Sequence, residues 1–573
     1  MYVKIRNGIF VLASLAILGG ECFSKENGEA IIKNEARTST KTDESVVIAE
    51  NGEKITVEDS ELKKTGDASN PENSNFFGTN AVVLSKDGTI SVERTSIESN
   101  ADGANAVFST GENSFVIIKN SKIRTKGNSS RGLDATYKGK IVAYDVEIET
   151  DGEHCAALAT DRGEGTVSLI SGKALTKGRG SPVIYSTGDI RAKKLEGKAY
   201  ASEIACIEGK NSIVIEKSRI EGGGGLDEEE SSSVMLYQSM SGDADEGTAS
   251  FAAKDSELVG NAKDSFFYVT NTNAKVSLSN TKISNAGRYL VKVAGNDSKR
   301  GWGRKGSNGG NLEFTAENQK LFGEIVVDGI SSMKMTIGKG AFFEGKINVK
   351  NEGEVNLAIL DGATLKLTGD IYINAFSDSD SSFKNIVSNG HTIFYNKKAA
   401  ENAKLGGKTI ALSDGGKLQT YEKEFAKKKS ADANRNENGR PKMPGEHEKR
   451  GELEEFTGEL AVVGKKALLF DENNKSLELK TMESGGQKHP KENGNGGMMP
   501  PPDGDMQQMN GNPPPMPNDM GNQGNPPKDG QKKNPPKLVK FSDLKKLNGK
   551  KVVIKGVKEK DGTVTVFEVA AVK

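Results

Sequence analysis

Cysteine, histidine, large aromatic side chains and long apolar runs are all scarce in this chain of 573 residues. Its 3 Cys and 4 His offer no zinc-ligand spacing. No phosphate-loop signature or nucleophile elbow occurs either. With 1 Trp and 6% aromatic residues, helical bundles with thick cores are excluded. Net charge is also missing: 79 Lys plus Arg cancel 79 Asp plus Glu. That balance removes the electrostatic case for a nucleic-acid or anionic-membrane partner. What the chain has in excess is glycine, at 67 residues, which supplies turns and positions without side chains. The composition points to thin cores and many turns.

Residues 1–24 join a short basic start, Lys4 and Arg6, to an apolar run at 9–18. This reads as a signal peptide cleaved near Ser24, too short for a spanning helix. Glu21 stands where bacterial lipoproteins carry a small residue before the cysteine, so cleavage near Ser24 is the leading reading, with a lipid anchor on Cys22 or an uncleaved anchor as the alternatives. No later stretch reaches the roughly 18 apolar residues of a transmembrane helix. The expected location is secreted, periplasmic or cell-surface, and the expected mature chain is monomeric.

A phrase then repeats: ITVEDSEL (55–62), ISVERTSI (90–97), VIIKNSKI (116–123), IVAYDVEI (141–148), IVIEKSRI (213–220) and VSLSNTKI (276–283). Each alternates apolar and polar residues, breaks at a polar pair, and ends on an apolar residue. Alternation with Val and Ile predicts short strands; the Gly, Asn, Asp and Ser that follow predict turns. A period in the low to middle twenties is too short for a propeller blade of about 40 residues, and the leucine-rich pattern is missing. A parallel β-helix over 51–400 remains, after a lead-in at 25–50, with coils about 4.8 Å apart and an interior of Ala, Val, Ile and Gly. This register places Cys155 and Cys206 two rungs apart, beyond the roughly 7 Å Cα limit of a disulfide, so both are expected as free, buried thiols.

The pattern resembles the right-handed parallel β-helix superfamily of pectate lyases, polysaccharide-acting enzymes and adhesin passengers. The phrases NSSRGLDATY (128–137), HCAALATDRG (154–163), GSPVIYSTGDI (180–190) and VMLYQSMSGDADEGT (234–248) are similar to an uncharacterised group of bacterial surface β-helix proteins. The resemblance implies an all-β, pectate-lyase-like fold and carries no assigned activity.

Polar clusters fall one per coil: Arg131, Asp134 and Tyr137; His154, Asp161 and Arg162; Tyr185; Glu203, Glu208 and Lys210; Tyr237, Gln238, Asp243 and Asp245. Stacked rungs would align them into a ladder with the hydrogen-bonding groups and flat rings that a polysaccharide needs. The competing reading is that such residues satisfy turns and one another. A non-catalytic adhesin or carbohydrate-binding protein is expected, its partner a polysaccharide or host glycan. The alternative is a polysaccharide lyase or glycoside hydrolase using ladder carboxylates. Against catalysis, the Asn-Thr-Asp and Gly-His-Gly triplets of similar hydrolases and the Arg-x-Pro-x-x-Arg phrase of similar lyases are absent. His154 is the sole imidazole before His391. Trp302, in a basic Gly-rich loop, could stack on a sugar. No cofactor is expected; calcium at Asp243 and Asp245 or at 227–230 is a weak candidate.

Residues 401–484 read as a charged insertion followed by strands, TGELAVVGKKALLF (457–470), that return to cap the solenoid. Residues 485–537 read as a disordered Pro-, Gly- and Met-rich linker. Residues 538–573 read as a small β segment with an Asp561-Gly562 turn.

Overall fold

Each coil is built on corners that turn within very few residues. At the polar pair of the repeated phrase, one residue adopts the left-handed region: Asp59 (φ 50), Arg94 (φ 47), Asn120 (φ 48), Lys217 (φ 48), Asp255 (φ 50) and Asn280 (φ 46). Asn and Asp tolerate that region best among residues with a side chain. The Ser or Thr that follows ties the corner down. Its hydroxyl donates to the carbonyl two residues back, Ser60 to Glu58 at 2.7 Å and Ser121 to Lys119 at 2.6 Å. It also accepts the N–H of the previous rung, Thr95 N to Ser121 Oγ at 3.1 Å and Ser218 N to Ser256 Oγ at 3.2 Å.

A second corner reads Thr-x-Gly-x-x-Ser/Cys at 125–130, 150–155 and 176–181. The Oγ1 of Thr125, Thr150 and Thr176 donates to the carbonyls of Ser130, Cys155 and Ser181 at 2.6, 2.6 and 2.5 Å. The glycines lie directly on one another. A Cβ on Gly152 would fall 2.1 Å from the Gly127 carbonyl oxygen, and one on Gly178 would fall 1.8 Å from that of Gly152.

Stacked in register, the strands form a parallel β-solenoid with a 22-stranded and a 14-stranded sheet. The computed structural model describes residues 24–26, 29–224, 231–297 and 300–425, the strands 453–463, 466–470, 476–481, 551–558 and 564–571, and residues 544, 547 and 550. Most of the signal segment, the acidic run 227–230 and the 485–537 stretch lie outside the described residues. Ile90, Val116, Ile141, Val167, Ile190 and Ile213 make one inward row, each fully buried. The interior is less uniform than the composition suggested: Phe251, Phe266, Phe267 and Phe314 pack edge to face, centroids 4.8 to 5.9 Å apart. Cys155 and Cys206 are free and buried.

The two sheets differ on their outer faces. Strands of the first alternate buried with exposed positions, as in Lys140–Thr150. In the second, Val107–Thr110, Leu133–Thr136, Ala205–Glu208 and Ser265–Thr270 are buried at every position. Something covers that outer face.

The coils also begin earlier than residue 51. Glu29–Lys33 pairs with Lys54–Glu58, and Ala36–Ser39 with Glu61–Lys64. The phrase is hidden there because Arg37 takes the position that Leu62 and Ile97 fill in later coils. The last coil reaches Lys417–Tyr421.

Residues 427–573 form a second unit. Its strands Leu453–Val463, Lys466–Phe470, Ser476–Thr481, Val564–Ala571 and Lys551–Lys558 close a barrel in that spatial order. Among the described residues only the third-to-fifth pairing is parallel. First, second, third, fifth, fourth is the order of the OB-type Greek-key barrel. The core, including Leu460, Leu469, Leu479, Val552, Ile554, Val564 and Val566, draws on both sides of the 485–537 stretch. The strands expected at 457–470 and the small β segment expected at 538–573 belong to one barrel.

The stacked glycines set a test. Gly152→Ala should lower thermal stability by about 2 kcal/mol or more, the cost of overpacking against backbone. Gly369→Ala, whose Cβ would meet nothing nearer than 3.4 Å, should change it by less than about 0.5 kcal/mol. Melting curves of the two variants check the corner assignment.

Candidate functional site

Outward positions of the second sheet stack into columns. Phe108, Asp134, Ala159, Tyr185, Cys206, Met235, Tyr268 and Lys292 stand one above another. Glu208 and Tyr237 are neighbours in the next column. The cover over this face comes from insertions between coils. The first is the helix Pro71–Phe77, capped by the Asn70 side chain, with Pro in its first turn and Gly78 (φ 67) closing it. Gly78 lies so close to the sheet that a Cβ would strike the Phe108 ring at 2.4 Å.

The helix is tied to the sheet through polar groups. Asn105 Nδ2 donates to the Ser74 carbonyl at 3.1 Å and Thr136 Oγ1 to that of Phe76 at 2.8 Å. Arg131 Nη1 donates to Asn75 Oδ1 at 2.8 Å. The same guanidinium reaches Asp161 Oδ2 at 2.9 Å and lies 3.6 Å from Asp134 Oδ2. Arg131, Asp134 and Asp161 are all buried, and neither oxygen of Asp134 accepts a hydrogen bond. Burial pushes both carboxyls well above the usual carboxylate range, more than Arg131 pulls them down.

Around this buried trio lies a partly exposed rim. Arg162 donates to Asp243 Oδ1 at 2.6 Å and lies 3.8 Å over the Phe76 ring. Tyr137 stacks on Phe77, centroids 5.4 Å apart. Further along, the Tyr185 hydroxyl donates to Glu208 Oε2 at 3.3 Å, and Glu208 Oε1 accepts the Ser239 N–H at 3.1 Å. Burial raises the Glu208 carboxyl as well. Tyr237 stacks on Trp302, centroids 4.6 Å apart. The Trp302 backbone is held by Asn296 and Asn308 at 2.7 and 2.8 Å.

No family model matches this chain, and no curated protein or solved structure matches it either. Its chemistry has to be read from the site alone.

Arg131, Asp134, Asp161, Glu208, Tyr237 and Gln238 share the covered face, and all are buried. An open polar ladder over these positions is therefore not what the fold builds; the outward polar residues are roofed. Of the residues expected to form the site, Tyr137, Arg162, Tyr185, Glu203 and Trp302 are half-buried. Gln238 serves a loop, its Nε2 donating to the Ala244 carbonyl at 3.1 Å. His154 lies apart, exposed in the second corner with φ 57. The weak calcium candidates are engaged elsewhere: Asp243 with Arg162 and Asp245 with Lys210 at 3.0 Å. Among the described residues no three His, Cys, Asp or Glu are grouped to hold a metal.

Asn75, Phe76, Phe77, Ser239, Tyr268 and Asn296 were missed as members of the cluster. Only the helix announces itself in sequence, through Asn70-Pro71 as cap and first turn.

The raised carboxyls give a pH test. The native chain holds protons on Asp134 and Asp161 that the unfolded chain loses near pH 4. Stability should therefore fall as pH rises from about 4 toward neutrality. Asp134→Asn, neutral throughout, should melt higher than the wild type at pH 8 and keep only a minor part of that advantage at pH 5. An advantage constant across the range would contradict the burial of the charge.

Proposed function

We propose that the chain is an exported, non-catalytic β-solenoid that binds a polysaccharide at a cell surface, as an adhesin or glycan-binding protein. The supporting observation is the rim on the second sheet, where Tyr137, Arg162, Tyr185 and Trp302 are half-buried: Tyr185 and Trp302 rest on the buried Glu208 and Tyr237, Arg162 pairs with Asp243 and Tyr137 stacks on Phe77. A sugar presents apolar C–H faces and a margin of hydroxyls. Rings and a guanidinium held in place match both, and fixing them beforehand lowers the ordering cost of binding. The basic, then apolar, segment at 4–18 supports export.

One observation favours the enzymatic alternative: Asp134 and Asp161 keep their protons at higher pH than ordinary carboxylates, as a general acid requires. Against it, both are buried and tied to Arg131, and His154 stands elsewhere.

Incubating the secreted full chain with neutral and acidic polysaccharides separates the readings. We expect retention on at least one polysaccharide without new reducing or unsaturated ends, and several-fold weaker retention by Trp302→Ala with an unchanged melting temperature. Released products would replace binding by catalysis. No retention on any polysaccharide would overturn both.

A further inference from the structure

The first sheet carries an open groove of about 730 Å³ on the outer face of its second limb, running from Ser96 to Arg219 along the solenoid. Its floor is a column whose charge alternates rung by rung: Lys122, Glu147, Lys173, Glu196 and Arg219. A second column two residues along adds Glu98, Arg124, Glu149 and Lys198. Five cations face four carboxylates, so the groove is nearly neutral while offering donors and acceptors at almost every rung.

Three of these charges pair closely with neighbours beside the groove, Glu98 with Lys126 at 3.0 Å, Glu149 with Lys177, and Lys198 with Glu221 at 2.9 Å; the pairs within the groove are longer. Lys122 and Glu147 are 3.5 Å apart and Arg124 and Glu149 3.4 Å, all substantially exposed. Lys173 and Glu196 are register partners yet form no ion pair among the described residues. Exposed pairs of this kind add little stability, so a ligand can recruit Lys122, Glu147, Lys173 and Glu196 at little cost. At the margin stands Tyr200, 60% exposed, with the Lys198 ammonium 4.9 Å from its ring centroid. A tyrosine this open contributes little to the core and is available to stack.

We propose that this groove binds an uncharged, linear polysaccharide lengthwise, one sugar per rung, with Tyr200 stacking on a sugar face. The proposal rests on the glycan reading above and assigns a site on the other sheet. The rung spacing of about 4.8 Å is close to the length of one pyranose unit in an extended chain. Sugar hydroxyls both donate and accept, which suits alternating carboxylates and ammonium or guanidinium groups. A polyanion would meet a carboxylate at every second rung and is disfavoured.

The test uses the full chain with soluble cello-, xylo- and manno-oligosaccharides from disaccharide to hexasaccharide, titrated by calorimetry. We expect one series to bind, with affinity rising up to about the pentasaccharide. Tyr200→Ala and the double variant Lys173→Ala, Glu196→Ala should each weaken it roughly three- to ten-fold, while melting temperature and any effect of Trp302→Ala stay separate. If the wild type binds and neither groove variant changes affinity, the groove assignment is wrong and the glycan reading survives. If no series and no polysaccharide binds, both fall. A wild-type dimer that Tyr200→Ala dissociates would make the groove an interface between two copies and overturn the proposal.

Discussion

The rest of the structure depends on one constraint: every coil must turn its corners in the same way so that like groups fall on like groups one rung later. A slip of one residue would send each inward side chain to the outside. The left-handed residue with its following hydroxyl, and the Thr-x-Gly-x-x-Ser/Cys corner, hold that register. Cys155 shows how strictly the position is read. Its sulfur accepts the Ser130 N–H at 3.1 Å and lies 3.2 Å from the Gly127 carbonyl oxygen, as a serine hydroxyl would. Burial pushes its thiol up to about 11, so it acts as a neutral corner group and not as a reactive thiolate.

The same stacking explains the alternation of charge along the outward columns of the first sheet. In a parallel ladder, outward side chains of one column stand one rung apart, where like charges repel. Opposite signs on successive rungs remove that repulsion, as in the column Lys122, Glu147, Lys173, Glu196 and Arg219. The covered face of the second sheet follows different energetics. There Arg131, Asp134 and Asp161 are out of water, and a buried ion cluster is a poor source of stability. One sheet presents solvated, exchangeable charge; the other keeps a fixed polar network under a roof.

Much of this was legible in the residues. Val and Ile alternation gave short strands, the spacing of the final apolar residue gave the coil, and alignment of two phrases placed Cys155 and Cys206 two rungs apart. The polar pair within each phrase was visible, although its split into a left-handed residue and a capping hydroxyl was not. The first coil escaped because Arg37 breaks the apolar pattern. The roof escaped for a more general reason: Asp134 or Glu208 at an outward strand position looks the same in sequence whether water or a helix lies above it. Phe76 and Phe77 belong to an insertion with no periodic partner. The barrel was hidden because its strands pair across the 485–537 stretch, and non-local pairing leaves no local signature.

The in-register stack is the central claim, and a distance along one column tests it most directly. Lys122 and Lys282 lie in the same outward column, six rungs apart, although 160 residues separate them in sequence. Spin labels at these two positions in the full chain, read by pulsed dipolar spectroscopy, should give one narrow distribution near 29 Å, six spacings of about 4.8 Å. A distribution shifted by a rung or more, or a broad one, would contradict the stacked register on which both faces depend.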